Sequence, residues 1–180
     1  VIRKVTKDGT VTTLTSLSDR AIESTPGNVE ETGDFLDGEL AKAKFNEPTS
    51  LVLDSTGNLF VSDAGNQRIR YINLKTKTVT TVAGGVMAAD LKNIYEADAL
   101  YAQGDFLDGD ALKAMFNFPL GLALTRDGGL IIADSLNHAI RYLYKGKVTT
   151  IAGDVELAFG NLNGLDRNAQ LHRPTDVAIM

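Results

Sequence analysis

A chain of 180 residues, 43% hydrophobic and 23% charged, can bury one substantial core and has the composition of a globular domain. Its net charge of −5 argues against a nucleic-acid backbone as partner. The absence of cysteine removes disulfides, thiolate nucleophiles and thiolate metal sites, and no apolar run approaches a membrane span.

The chain opens on VIRKVTKDGTVTTL, which lacks both an initiator Met and the apolar stretch of a secretory signal. It reads as a mature form or as a piece cut from a longer chain. Within it, VIRKV and TVTTL match the last two strands of a four-strand unit that recurs intact further on, so residues 1–15 are expected to end one blade.

Residues 16–44 form the first connector and carry GDFLDG at Gly33–Gly38. The hexamer returns at Gly104–Gly109, in register at an offset of 71 over a long stretch in which about half of the positions are identical. A fixed period of this kind points to repeated supersecondary units. In the first period SLVLD, LFVSD, RIRYINL and TVTTVAG are separated by STGN, AGNQ and KTK. In the second GLALT, LIIAD, AIRYLY and VTTIAG are separated by RDGG, SLNH and KGK. Short alternating or apolar runs joined by Gly/Asn/Asp turns predict four-stranded antiparallel meanders over 45–84 and 116–153.

Connectors are expected at 85–115 and 154–173. A third, weaker period starts at Asn163-Gly164, places Leu171 and Pro174 where Phe45 and Pro48 stand, and stops within a first strand at 174–180. One meander alone leaves two apolar faces wet, and radial stacking covers them. The fold class expected is therefore all-β, a β-propeller of four-stranded blades that is incomplete in this chain. Its parent is expected to be six-bladed, with the remaining blades supplied by the same parent chain or by another subunit.

The stretch PTSLVLDSTGNLFVSDAGNQRIRYI resembles the NHL-repeat β-propellers through Pro48, Gly57-Asn58-Leu59, Asp63, Asn66 and Ile69-Arg70. The second copy carries Pro119, Gly128, Leu130, Asp134, Asn137-His138 and Ile140-Arg141. The long D-G connectors and the VTTxAG strands are similar to the bacterial surface and secreted branch. That resemblance implies an extracellular or cell-envelope location. It does not select an activity, since such propellers include protein-binding modules, RNA-binding modules and enzymes.

Alternating strand directions put the connectors and the strand two–three loops on one face. The connectors hold 16 of the 23 acids and 7 of the 18 Lys and Arg, while Lys4, Lys7, Lys75, Lys77, Lys145 and Lys147 fall on the opposite turns. Asp34, Asp37, Asp105 and Asp108 could hold Ca²⁺, but their spacing is not that of an EF-hand. Capping of short helical turns at ELAKAKF and DALKAMF by Asp37 and Asp108 is the preferred expectation.

Asp63, Asn66 and Arg70, with Asp134, Asn137 and Arg141, recur at one blade position and are expected to clamp the two–three loop. His138 falls in that loop. His172 and Arg173 stand before a first strand, near the mouth of a channel, and His172 is the better candidate for a ligand or general base. No catalytic set, metal site or required cofactor is assigned. The expected function is a non-catalytic binding scaffold that meets a protein or small extracellular ligand on the connector face, without nucleic acid. The alternative is a metal-dependent lyase or hydrolase with its site in the channel.

Overall fold

The computed structural model describes residues 1–85, 94–153 and 159–180, so parts of the two later connectors lie outside the described residues. Strands β1 (Arg3–Val5) and β2 (Val11–Thr13) form a hairpin, and β3 (Ala21–Thr25) and β4 (Asn28–Glu31) form a second one. Strands β5 (Gly38–Glu39), β6 (Pro48–Leu53), β7 (Leu59–Asp63), β8 (Arg68–Asn73) and β9 (Thr78–Ala83) make one sheet. Strands β10 (Gly109–Asp110), β11 (Pro119–Leu124), β12 (Leu130–Asp134), β13 (Ala139–Tyr144) and β14 (Lys147–Ala152) make its repeat.

The two sheets share one order, β5-β9-β8-β7-β6 and β10-β14-β13-β12-β11, and every pairing in them is antiparallel. Each is a four-strand meander with a fifth, two-residue strand added at its outer edge by the connector that precedes it. Gly38 pairs with Val79 and Gly109 with Val148. The outer edge of each blade is thus partly covered, which blunts an exposed row of backbone groups.

Two apolar seams join the sheets face to face. Between the blades, Phe116 packs with Ile69, Ala83, Leu122, Ile132 and Val148. On the other side of the first blade, Ile2 and Leu14 of the β1–β2 segment meet Phe45, Val61, Ile72 and Val79. The chain is a partial propeller: two complete blades plus the outer half of a third. Leu51 and Leu53 of β6 are 53% and 59% exposed, whereas Val52, facing the second blade, is packed.

Two local readings are corrected. ELAKAKF and DALKAMF are not helical: each starts as strand β5 or β10 and then turns, with Ala43 N–H and Ala114 N–H bonded back to Glu39 and Asp110 carbonyls. The first connector contains a hairpin that apolar periodicity does not announce, since β4 is exposed throughout. Its signal is the Pro26-Gly27 dipeptide, with Gly27 at φ +82°, a turn chemistry that closes β3 onto β4. Residues 174–180 form no strand among the described residues.

The third period nevertheless starts as the others do. Glu47, Phe118 and Arg173, each preceding a proline, have φ of 47°, 53° and 49°.

The seam residue Phe116 is 1% exposed. Phe116→Ala is expected to cost roughly 3–5 kcal/mol, as large-to-small changes in a packed core do. Urea denaturation followed by far-ultraviolet circular dichroism measures it, and a cost below about 1 kcal/mol would show that the blades do not depend on this seam.

Candidate functional site

The strand two–three turn of the first blade begins at Asp63, the last residue of β7, and passes through a 3-10 turn at Ala64–Asn66 into β8, where Arg70 lies. Asp63 and Arg70 are both fully buried. Arg70 Nη1 donates to Asp63 Oδ2 at 2.5 Å and to the Lys44 carbonyl at 3.2 Å. Nη2 donates to the Leu36 carbonyl and to Asp37 Oδ1 at 2.8 and 2.7 Å, and Nε to the same Asp37 oxygen at 3.0 Å. All five guanidinium donors are satisfied, and the Phe35 and Phe45 rings lie 4.6 Å from its centre.

Arg141 repeats the arrangement with Asp134, the Met115 and Leu107 carbonyls and Asp108, between Phe106 and Phe116. Asn66 and Asn137 donate to Asp63 and Asp134, and also to the Asp34 and Asp105 carbonyls. The second oxygen of each connector acid takes a strand N–H: Thr81 N to Asp37 Oδ2 at 2.9 Å and Thr150 N to Asp108 Oδ2 at 3.0 Å. Those N–H groups are free for this because the ladder slips by one residue beside each arginine, between Ile69/Arg70 and between Ile140/Arg141.

This is the correction to the capping expectation. Asp37 and Asp108 tie the connector to its own blade instead of capping a turn. Asp34 faces Lys44, and Asp105 accepts Phe106 N–H. Among the described residues no group of three or more acids and histidines is gathered closely enough to hold a metal ion.

Burial raises the carboxyls of Asp63 and Asp134, the latter to about 6, against the lowering effect of Arg70 and Arg141. Arg68, a buried cation that sequence reasoning missed, has burial as the largest cause lowering its pKa, with Arg70 adding to it.

The connector also covers the two–three turn from outside. Ala102 N–H donates to the Gly65 carbonyl at 2.9 Å, Gln67 Nε2 to Ala102 O at 3.0 Å, and Tyr95 hydroxyl bonds Asn66. Arg20 lies 3.7 Å over the Tyr95 ring. On the opposite rim, Tyr71 and Tyr142 hydroxyls donate to Asp54 and Asp127 at 2.7 and 2.9 Å and pin the strand one–two turns.

The structure brings the two histidines together. His138 and His172 rings are 5.4 Å apart, with Phe159 5.2 and 4.9 Å from them. Arg173 N–H donates to His138 Nδ1 at 3.0 Å. Gln67 occupies the same left-handed position in the first blade and accepts Phe118 N–H at 2.6 Å. Each blade therefore holds the start of the next period through one side-chain acceptor. Near the first strands it is Thr175 and Asp176, beside Thr49, Ser50, Leu120 and Gly121, that line a hollow.

A family model described as NHL repeat matches residues 45–70 and 116–141, the two blade segments that carry the arginine clamps. These two blades are NHL repeats. The chain is 31% identical over 145 residues to human NHL repeat-containing protein 2, covering 76% of this chain and 18% of that protein. It is 30% identical over 107 residues to Protein SUPPRESSOR OF QUENCHING 1, chloroplastic, of Arabidopsis thaliana, covering 59% and 9%.

A Bacteroides thetaiotaomicron protein of unknown function superposes with a TM-score of 0.61 at 19% identity, over 84% of this chain and 34% of that one. An auxiliary nutrient binding protein of the same species superposes with a TM-score of 0.56 at 17% identity, over 87% and 36%. The chain thus spans about a fifth or less of these curated relatives and about a third of these solved chains.

Arg141→Met leaves two acids without their cation and is expected to cost about 3–5 kcal/mol at pH 7. Because burial raises Asp134 above 3.8, its contribution favours the folded state at acid pH and is lost as pH rises through about 6. Removing Arg141 raises that carboxyl further, so the deficit in denaturant midpoint should be larger at pH 8 than at pH 5; an equal deficit would contradict the pairing.

His138 has its pKa lowered from 6.5 by burial first, then by His172 and Arg173. Its stabilising contribution is present above pH 6.5 and is lost as pH falls through the lowered value, when Nδ1 becomes a donor. Amide exchange at Arg173, corrected for intrinsic rates, should accelerate in that window, and His138→Gln, which keeps an acceptor as Gln67 does, should abolish the pH dependence.

Proposed function

We propose that this chain is a non-catalytic binding scaffold whose partner sits on the connector face, outside the cytoplasm or in the cell envelope. The observation that carries this reading is a groove of about 460 Å³ between the β3–β4 hairpin, the start of β6 and the segment around residue 100. Leu17, Glu31, Glu47, Pro48, Leu100 and Tyr101 are among its lining residues. Leu17 is 72% exposed and Leu100 40%, so apolar surface stands in water beside carboxylates and a phenol. Phe45 and Asn46 also line it and lie against the arginine clamp, Phe45 beneath Arg70 and Asn46 N–H donating to Asp63 Oδ1 at 2.8 Å. The exposed hairpin can vary in sequence without disturbing a blade, the usual division between scaffold and recognition loop.

The solved propellers described as auxiliary nutrient binding proteins of Bacteroides thetaiotaomicron and Bacteroides ovatus, the latter with a TM-score of 0.53 at 19% identity, support a ligand-binding reading by analogy of fold. The partner expected is a protein segment or a small extracellular ligand with an apolar group for Leu17 and Leu100 and polar donors for Glu31 and Glu47.

The experiment is selection of a displayed random peptide library, alongside a panel of soluble oligosaccharides, on the immobilised chain. Binders should lose at least about tenfold affinity, about 1.4 kcal/mol, on Leu17→Asp with Tyr101→Ala. They should keep their affinity on Lys75→Glu with Lys145→Glu, which alters only the opposite rim. Binders that follow the lysine rim instead would overturn the assignment.

A further inference from the structure

The third period closes its connector loop as the first two do, but with a different residue at the tip. Asp34 N–H and Asp105 N–H donate to the Phe45 and Phe116 carbonyls at 3.3 and 3.0 Å, and Gly160 N–H donates to the Leu171 carbonyl at 3.3 Å. Further in, Lys44 N–H and Met115 N–H donate to the Leu36 and Leu107 carbonyls, both at 3.1 Å, and Gln170 N–H to the Leu162 carbonyl at 3.0 Å. The sequence separation of each bonded pair is the same in all three periods. The three loops therefore correspond residue by residue, and their tips are Asp37, Asp108 and Asn163, each followed by glycine.

The tips differ in how they are held. Asp37 and Asp108 each give one oxygen to the clamp arginine and the other to a strand N–H, and Gly38 and Gly109 belong to β5 and β10. Asn163 and Gly164 are exposed and lie in no strand. Gly164 N–H donates to no backbone carbonyl among the described residues. Asn163 is also the one asparagine of the chain that a glycine follows. A backbone nitrogen reaches the amide carbon of the preceding side chain most easily when no side chain of its own crowds the closing ring, and glycine has none.

We infer that Asn163 is a site of spontaneous deamidation in the folded protein, and that the reaction gives the third tip the negative charge the other two carry. Gly164 N attacks Asn163 Cγ. The new C–N bond closes a five-membered imide, the Cγ–Nδ2 bond breaks, and Nδ2 leaves as ammonia with the proton that the backbone nitrogen loses. Water then opens the imide. Hydrolysis at Cγ restores the main chain and leaves an aspartyl carboxylate; hydrolysis at the backbone carbonyl leaves an isoaspartyl residue.

The aspartyl product completes the likeness between the loops. Asp37 and Asp108 meet Arg70 and Arg141 with that carboxylate, and Arg70 also donates to the Leu36 and Lys44 carbonyls, the counterparts of Leu162 and Gln170. Deamidation thus turns a neutral loop into an anionic acceptor for a guanidinium. The clamp asparagines are shielded from the same reaction. Asn66 and Asn137 are buried, their amides donate to Asp63 and Asp134, and the residues after them are Gln67 and His138.

Peptide mapping by mass spectrometry, on the 180-residue chain held in mildly alkaline buffer, tests this. Acid should accumulate at Asn163 at least about tenfold faster than at any other asparagine, and in the native chain within about threefold of its rate in urea. An isoaspartyl-specific methyl-transfer assay should turn positive in step, and Asn163→Gln, which would have to close a larger ring, should abolish that signal. An amide that persists at Asn163 in the native chain, whatever happens in urea, would overturn the proposal. So would earlier loss at Asn66 or Asn137, or acid at Asn163 with no isoaspartyl product, which would exclude the imide.

Discussion

Each blade buries an arginine whose guanidinium has no water, and the course of the connector follows from what that group demands. Removing a cation from water costs several kcal/mol unless carboxylates and acceptors replace the solvent. Arg70 finds one carboxylate on its own sheet, Asp63, and must obtain the other acceptors from the chain that precedes the sheet. Leu36 and Lys44, whose carbonyls both accept from Arg70, are bridged to each other. The loop between them therefore closes around the guanidinium, and Asp37 reaches inward at its tip. What looks in sequence like a free acidic loop is a surface loop tied through Asp37, its side chain 36% exposed, to the buried arginine of its own blade.

That arrangement explains how a sheet of short strands can present a defined surface. The ion pairs lie on the connector side of the blade and the apolar seams lie between sheets, and Phe45 and Phe116 join the two, each packing in a seam with a clamp guanidinium over its ring. The opposite rim is held by smaller devices, tyrosine hydroxyls on turn aspartates. With the frame fixed twice over, substitutions at single positions change the chemistry of one blade without changing its shape. Arg68 against Ala139, and Gln67 against His138, are two such positions. The first gives one seam a buried cation, and the second gives one junction a titratable acceptor.

Much of the frame was legible in the sequence because a gapless period repeats every polar punctuation mark along with the apolar runs. The gathering of Asp63, Asn66 and Arg70 could be anticipated from their recurrence at one blade position. The role of Asp37 could not, since Asp before Gly is equally a capping signal, and only the ladder slip at Arg70 shows where its second oxygen is bound. The β3–β4 hairpin escaped because β3 buries Ile22 alone and β4 buries nothing, so no periodicity marks it. Arg68 escaped for a different reason: it stands at a position of the repeat where the two copies differ, and only the depth of burial distinguishes it from a solvated arginine. His138 and His172, 34 residues apart in sequence, meet because the third period folds back onto the loop of the second.

The central claim is that the connectors are integral parts of the blades, held by carboxylates that accept N–H groups diverted from the sheet. Native-state hydrogen exchange at the amides of Thr81 and Thr150 tests it most directly, since both donate to a connector carboxylate and not to a neighbouring strand. The account predicts protection at both amides comparable with that of the central strands β8 and β13. Exchange at loop-like rates in an otherwise protected sheet would contradict it.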